Sequence, residues 1–161
     1  MSHRSLAAFH DHDHADCTDA GLDRADALAQ SRGLRLTPVR RATLEILLSR
    51  HKAFGAYEIL DELKQAGFGS QPPVAYRALD FLVEQGLAHR VRRLNAFMAC
   101  THPGTDHAPA FFICTECAAV AELPEESLRA AVSDAATSIG FEVQRLSVEA
   151  EGLCPNCKAD E

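Results

Sequence analysis

Residues 71–100 read QPPVAYRALDFLVEQGLAHRVRRLNAFMAC, and this stretch decides the fold. Its first half has a helical period. Leu79, Leu82 and Val83 form one apolar stripe, and Tyr76, Arg77 and Asp80 lie off it. After Gly86 the pattern changes to the alternation of LAHRVRRLNAFMAC, which predicts two short strands turned at Leu94 and Asn95. Working upstream, AYEILDELKQAG predicts a helix with Ile59, Leu60 and Leu63 on one side and a stop at Gly67. LTPVRRATLEILLSRH predicts another. There Thr37 is the expected N-cap, its side chain accepting backbone N–H bonds, and Pro38 takes the first helical position, where its missing donor costs nothing. DAGLDRADALAQSRG, from Asp19 to Gly33, predicts a first helix with Leu22, Ala25, Leu28 and Ala29 along one face.

Three helices followed by a hairpin, the last helix carrying Tyr76 and Arg77, is the order of a winged helix-turn-helix, which lays its final helix in the DNA major groove. A plain helical core with a surface hairpin has the same periodicity. Arg90, Arg92 and Arg93, clustered on the hairpin, favour the nucleic-acid reading because they suit phosphate contacts that fix position without reading bases.

Downstream, THPGTDHAPA is rich in Pro, Gly and His and marks a boundary. Beyond it, strands are expected at 110–114 and 118–122. A helix at 125–139 has Leu128, Ala131, Val132 and Ala135 on one apolar face, and a long strand follows at 141–150. The expected fold class is α+β: a His- and Asp-rich disordered tail at 1–17, a winged-helix DNA-binding domain at 18–100, a hinge at 101–109 and a small dimerisation and metal-binding domain at 110–161. About sixty residues are few for a free-standing core, so a metal, a dimer interface or both would supplement it.

The net charge of −7 is unevenly distributed. Residues 34–100 hold 10 basic and 6 acidic side chains, against 3 and 11 in residues 101–161 and 3 and 6 in residues 1–33. This asymmetry points to a basic module facing nucleic acid joined to an acidic one with a different task. The apolar runs are too short for a membrane span, and the N-terminus has no signal-peptide core, so the cytoplasm is the expected compartment. In that reducing setting, six cysteines read as metal ligands or catalytic groups rather than disulfides.

Cys114 and Cys117 form one Cys-x2-Cys pair, and Cys154 and Cys157 form another. Two such pairs fill the tetrahedral shell of a structural zinc. A thioredoxin-like redox pair is the alternative, but the βαβ context it needs is missing. Outside these pairs, His89, Cys100, His107 and Glu122 offer one sulfur, two nitrogens and one oxygen. Zinc accepts that set, and the thiolate disfavours hard ions. Taken one at a time, they read as a surface histidine, a buried thiol, a loop histidine and a solvated glutamate.

The stretches RLTPVRRATLEIL, AYEILDEL, PPVAYRALDFLVEQGLAHRV, HAPAFFICTEC and GLCPNC together resemble the ferric uptake regulator family, most closely its zinc uptake regulator branch, from about residue 22 onward. The resemblance implies a homodimeric, zinc-responsive repressor that binds double-stranded operator DNA as a zinc-loaded dimer, controls zinc uptake genes and carries two zinc ions per subunit. It implies structural zinc on Cys114, Cys117, Cys154 and Cys157, and regulatory zinc on His89, Cys100, His107 and Glu122. It implies DNA contacts by Tyr57, Tyr76 and Arg77. Asp61 and Lys64 fall where neighbouring dimers meet in the family, so two dimers could load one operator. The family pattern Thr-Val-Tyr-Arg is Val74-Ala75-Tyr76-Arg77 here, which removes a hydroxyl that could touch phosphate. His102 and Asp106 are further candidate donors without a full ligand set. The rival readings are an iron or peroxide sensor of the same fold, which Cys100 disfavours, and a zinc hydrolase using His89, His107 and Glu122.

Overall fold

A computed structural model describes residues 7–9 and 13–159. The chain divides into two compact units, one of residues 13–104 and the other of 105–159 together with the 3-10 turn Ala7–Phe9.

The first unit contains α1 (His14–Ser31), α2 (Pro38–Leu48), α3 (Ala56–Gln65), α4 (Pro72–Glu84), β1 (Ala88–Val91) and β2 (Ala96–Ala99). The helix expected to begin at Asp19 starts at His14 instead. Asp13, in extended conformation, accepts the Ala15 N–H at 2.9 Å and caps it, so residues 14–17 are helical rather than tail. His3, His10 and His12 lie outside the described residues. Thr37 precedes α2 as expected, but its side chain makes no capping bond; the fixed φ of Pro38 starts this helix. In α3, Glu58 accepts the Gly55 N–H at 2.9 Å and holds the first turn, which carries Tyr57. Gly67 and Gly86, at φ +86° and +70°, end α3 and α4 in the left-handed region that favours glycine.

The inner faces of these helices meet in one core. Leu22, Leu44, Leu47, Ile59, Leu63, Leu79 and Leu82 are buried together with Phe54 and Phe97. Each such side chain contributes about 1.5–3 kcal/mol by leaving water. The hairpin is antiparallel, with His89 opposite Met98 and Val91 opposite Ala96. Asn95 turns it at φ 47°. Phe54 and Phe97 exchange backbone bonds of 2.7 and 2.8 Å, which fastens the segment before α3 to the hairpin.

The second unit is a three-stranded sheet in the order β4-β3-β5, with β3 (Pro109–Cys114), β4 (Val120–Pro124) and β5 (Val148–Gly152). Strand β3 pairs antiparallel with β4 and parallel with β5, and α5 (Glu126–Ser138) supplies the crossover. The strand expected at 141–150 pairs only from Val148, where β3 offers a partner edge. A short α6 (Pro155–Ala159), absent from the sequence reading, follows. The predicted apolar face of α5 exists but is not buried within one chain. Ala131, Val132 and Ala135 are exposed, and Ala136 is the residue of α5 that is buried. Ile139 and Phe141, just beyond, are 79% and 63% exposed. Among the described residues, no helix is long and apolar enough to cross a membrane.

Candidate metal centres and nucleic-acid face

The parallel pairing of β3 with β5 sets Cys114 opposite Gly152, so the two cysteine pairs, distant in sequence, end on the same edge. Thr115 donates its N–H to the Gly152 carbonyl at 2.9 Å, and Ala118, at φ 59°, folds the first pair into a tight knuckle with its N–H on the Cys114 carbonyl at 3.1 Å. The second pair straddles the start of α6, where Lys158 N–H donates to the Cys154 carbonyl at 2.9 Å. All four sulfurs lie within 4.8 Å of one another, and those of Cys117 and Cys154 are 3.8 Å apart. Sulfurs on a tetrahedral zinc with bonds of about 2.3 Å stand about 3.8 Å apart, so this donor set fits the ion.

The acidity of these thiols tells the same story. Cys114 is pulled down to about 6, first by the Cys117 backbone N–H and then by that of Cys154. Cys157 is pushed up to about 12, first by its hydrogen bond with Cys154 and then by loss of solvent and the neighbouring sulfurs. Four thiolates this close repel one another, and a bound cation is what lets all four lose their protons.

His107 and Glu122 belong to the same unit. His107 Nε2 lies 2.8 Å from Glu122 Oε1, and its Nδ1 lies 2.9 Å from the Thr105 carbonyl oxygen. Glu122, on β4, is buried. The hydrogen bond to Glu122, followed by that to Thr105, holds the His107 pKa above the ordinary histidine value. A buried carboxylate needs such a positive partner, either a protonated imidazole or a metal ion.

His89 and Cys100 belong to the other unit. Cys100 stands two residues beyond Met98, the cross-strand partner of His89, so both fall on one face of the hairpin. Cys100 is buried, and its N–H donates to the Leu87 carbonyl at 2.9 Å. Of the further candidate donors, Asp106 pairs with Arg129 at 3.0 Å and His102 Nδ1 sits 2.8 Å from the Thr101 hydroxyl.

Tyr57 is 68% exposed on the first turn of α3, while Tyr76 and Arg77 are exposed on α4. Asp61 and Lys64 are exposed on α3. Arg40 stacks its guanidinium 3.6 Å from the centre of the Phe81 ring, a packing contact between α2 and α4 that sequence reading missed because it depends on how the helices meet.

The ferric uptake regulator family matches residues 31–151. A zinc uptake regulation protein of Escherichia coli strain K12 is 37% identical over 137 residues, covering 84% of this chain and 80% of that protein. The structure of a zinc uptake regulator complexed with zinc and DNA has a TM-score of 0.85 at 36% identity, covering 89% of this chain and 96% of its own. A crystal structure of holo XcZur has a TM-score of 0.80 at 36% identity, with 87% and 98% covered.

Proposed function

Because this chain belongs to the ferric uptake regulator family, on its zinc uptake regulator branch, we propose that it is a zinc-responsive transcriptional repressor, binding operator DNA as a zinc-loaded dimer and controlling zinc uptake genes. Its role is regulation rather than catalysis, and it works in the cytoplasm. Each subunit holds two zinc ions. The structural one is held by Cys114, Cys117, Cys154 and Cys157. The regulatory one is held by His89, Cys100, His107 and Glu122.

The observation that carries the reading is how the second donor set is divided. His89 and Cys100 share a face of the hairpin in the unit that carries Tyr57, Tyr76 and Arg77. His107 and Glu122 hydrogen-bond in the unit that carries the four-cysteine cluster. Neither pair alone makes a tetrahedral shell. When bound, the ion supplies the positive charge that lets a thiolate, two neutral imidazoles and a carboxylate converge. The four residues then tie the DNA-reading unit to the other, and Cys100 closes the shell against a reactive water, unlike the open position a hydrolase keeps. A symmetric dimer must present its two recognition helices at half-site spacing, so restricting this connection favours DNA binding. The exposed Val132, Ile139 and Phe141 support a dimer surface in the C-terminal unit. Arg77 is assigned to base readout, Arg90, Arg92 and Arg93 to phosphate, and Asp61 with Lys64 to contact between adjacent dimers.

The test is Cys100→Ser, assayed on a duplex selected from a randomised pool with the wild-type zinc form. The variant is expected to remain a folded dimer and to lose zinc-dependent binding. An unchanged zinc response would reject the regulatory assignment.

A further inference from the structure

The 3-10 turn Ala7–Phe9 stands far from the cysteine pairs in sequence, yet it belongs to the same unit. One face of the sheet explains where it rests. Phe112 of β3 has Ala121 of β4 on one side and Ala150 of β5 on the other, so a large ring stands in a row between two small side chains. Leu123, two residues along β4, falls on the same face. Phe112 is 39% exposed, and such a surface gains by taking on a further apolar side chain. The turn packs against β4, and Phe9, half-buried, borders a groove of about 280 Å³ lined also by Phe112, Leu123 and Ala150. Cys114 and Cys154 line the same groove. A directional bond adds to this packing: the Asn156 side-chain amide donates to the Phe9 carbonyl at 2.7 Å. Asn156 lies between Cys154 and Cys157, and the Cys154 N–H points to the Cys114 sulfur at 3.4 Å.

We propose that Ala7–Phe9 is a latch on the four-cysteine centre, held by the apolar groove and by Asn156. While docked, the turn covers the groove side of Cys114 and Cys154 and steadies the second cysteine pair through Asn156. Opening of the shell, which release of zinc requires, then becomes rarer. The dependence is reciprocal, because a second pair loosened by metal loss no longer presents Asn156 to the Phe9 carbonyl. The occupant of the groove is the chain's own segment rather than a second copy, since its backbone already meets Asn156. Phe9 and Asn156 both lie outside residues 31–151, the part that matches the family, so membership gives neither a role. The inference rests on the assignment of structural zinc to the four cysteines.

The experiment mixes the zinc-loaded full chain with excess chelator and follows alkylation of Cys114, Cys117, Cys154 and Cys157, mapped by peptide mass. Phe9→Ala and Asn156→Ala are each expected to open the four thiols faster than the wild type, by about 2–12-fold, the range of one net hydrogen bond. Phe9→Ala/Asn156→Ala should be little faster than the faster single variant, because both changes undo one latch. The chain has no tryptophan, so Phe9→Trp gives a single reporter. Its emission should lie at short wavelength with zinc bound and move to longer wavelength once the metal is stripped. Wild-type rates in both alanine variants would overturn the latch. So would single-variant effects that multiply in the double variant, the sign that Asn156 acts without the turn. Long-wavelength emission with zinc bound, expected if a second copy fills the groove instead, would overturn it as well. Failure of zinc to protect the four cysteines of the wild type would overturn the zinc assignment and the latch together.

Discussion

Replacing Cys117 and Cys154 together by serine removes one ligand from each pair and should release the structural ion. The two residues are 37 positions apart, and the intervening chain includes α5 and β5. Treating the ion as a cross-link that closes this loop, the chain-entropy relation gives about 4 kcal/mol of lost stability. A unit of this size has roughly 3–8 kcal/mol in total at typical values per residue. Release of the ion therefore takes most of its stability, and the more so because α5 buries only one side chain within its own chain. The core of the helical unit includes none of these cysteines. Hydrogen exchange measured by mass spectrometry separates the two. In the double variant, amides of β3 and β5, and that of Thr115 just past β3, should lose protection, whereas those of α2 to α4 keep theirs. Stripping the wild type with a strong chelator should reproduce the pattern. Full protection across β3 and β5 in both cases would refute the argument that the metal holds this unit together.

For metal-free protein the raised His107 pKa sets a direction with pH. A raised folded-state pKa adds stability that is fully present below the unfolded histidine value near 6.5 and is lost as pH climbs through the folded value, so urea midpoints should fall over that range. His107→Asn should flatten that slope. Zinc needs the neutral imidazole, so zinc affinity at this position should rise over the same interval. Arg77→Ala is expected to cost about 1–3 kcal/mol of operator affinity and to relax preference at one base position, read by binding to single-substitution duplexes. Ile139→Asp/Phe141→Asp should shift the protein toward monomer in sedimentation, because it charges an exposed apolar surface.

What could be read from the sequence was what local chemistry writes. Pro38, Gly67 and Gly86 mark helix ends through their own backbone limits, and the stripe of Leu79 and Leu82 is buried as its spacing predicts. Asp13 is also a local signal, hidden among the charged residues of DHDHADC, whose polarity reads as tail. The shortening of the last strand was not local. Residues 141–147 have strand-like composition, but a strand needs an edge, and of residues 141–152 β3 pairs only with Val148–Gly152. The cysteine spacing pointed to a candidate metal site, yet what aligns its halves is the parallel register of Cys114 with Gly152, which no short motif encodes. The exposed face of α5 was legible as apolar but not as unburied, since periodicity does not say which surface covers it.

The most direct measurement is operator affinity of the wild-type protein over a series of buffered free zinc concentrations, with iron, cobalt and manganese run in parallel. Zinc is expected to tighten binding about 5–150-fold over the metal-free protein, the range of a coupling of about 1–3 kcal/mol, and to do so more effectively than iron or manganese. Equal affinity with and without zinc, or a larger gain with iron, would contradict the account.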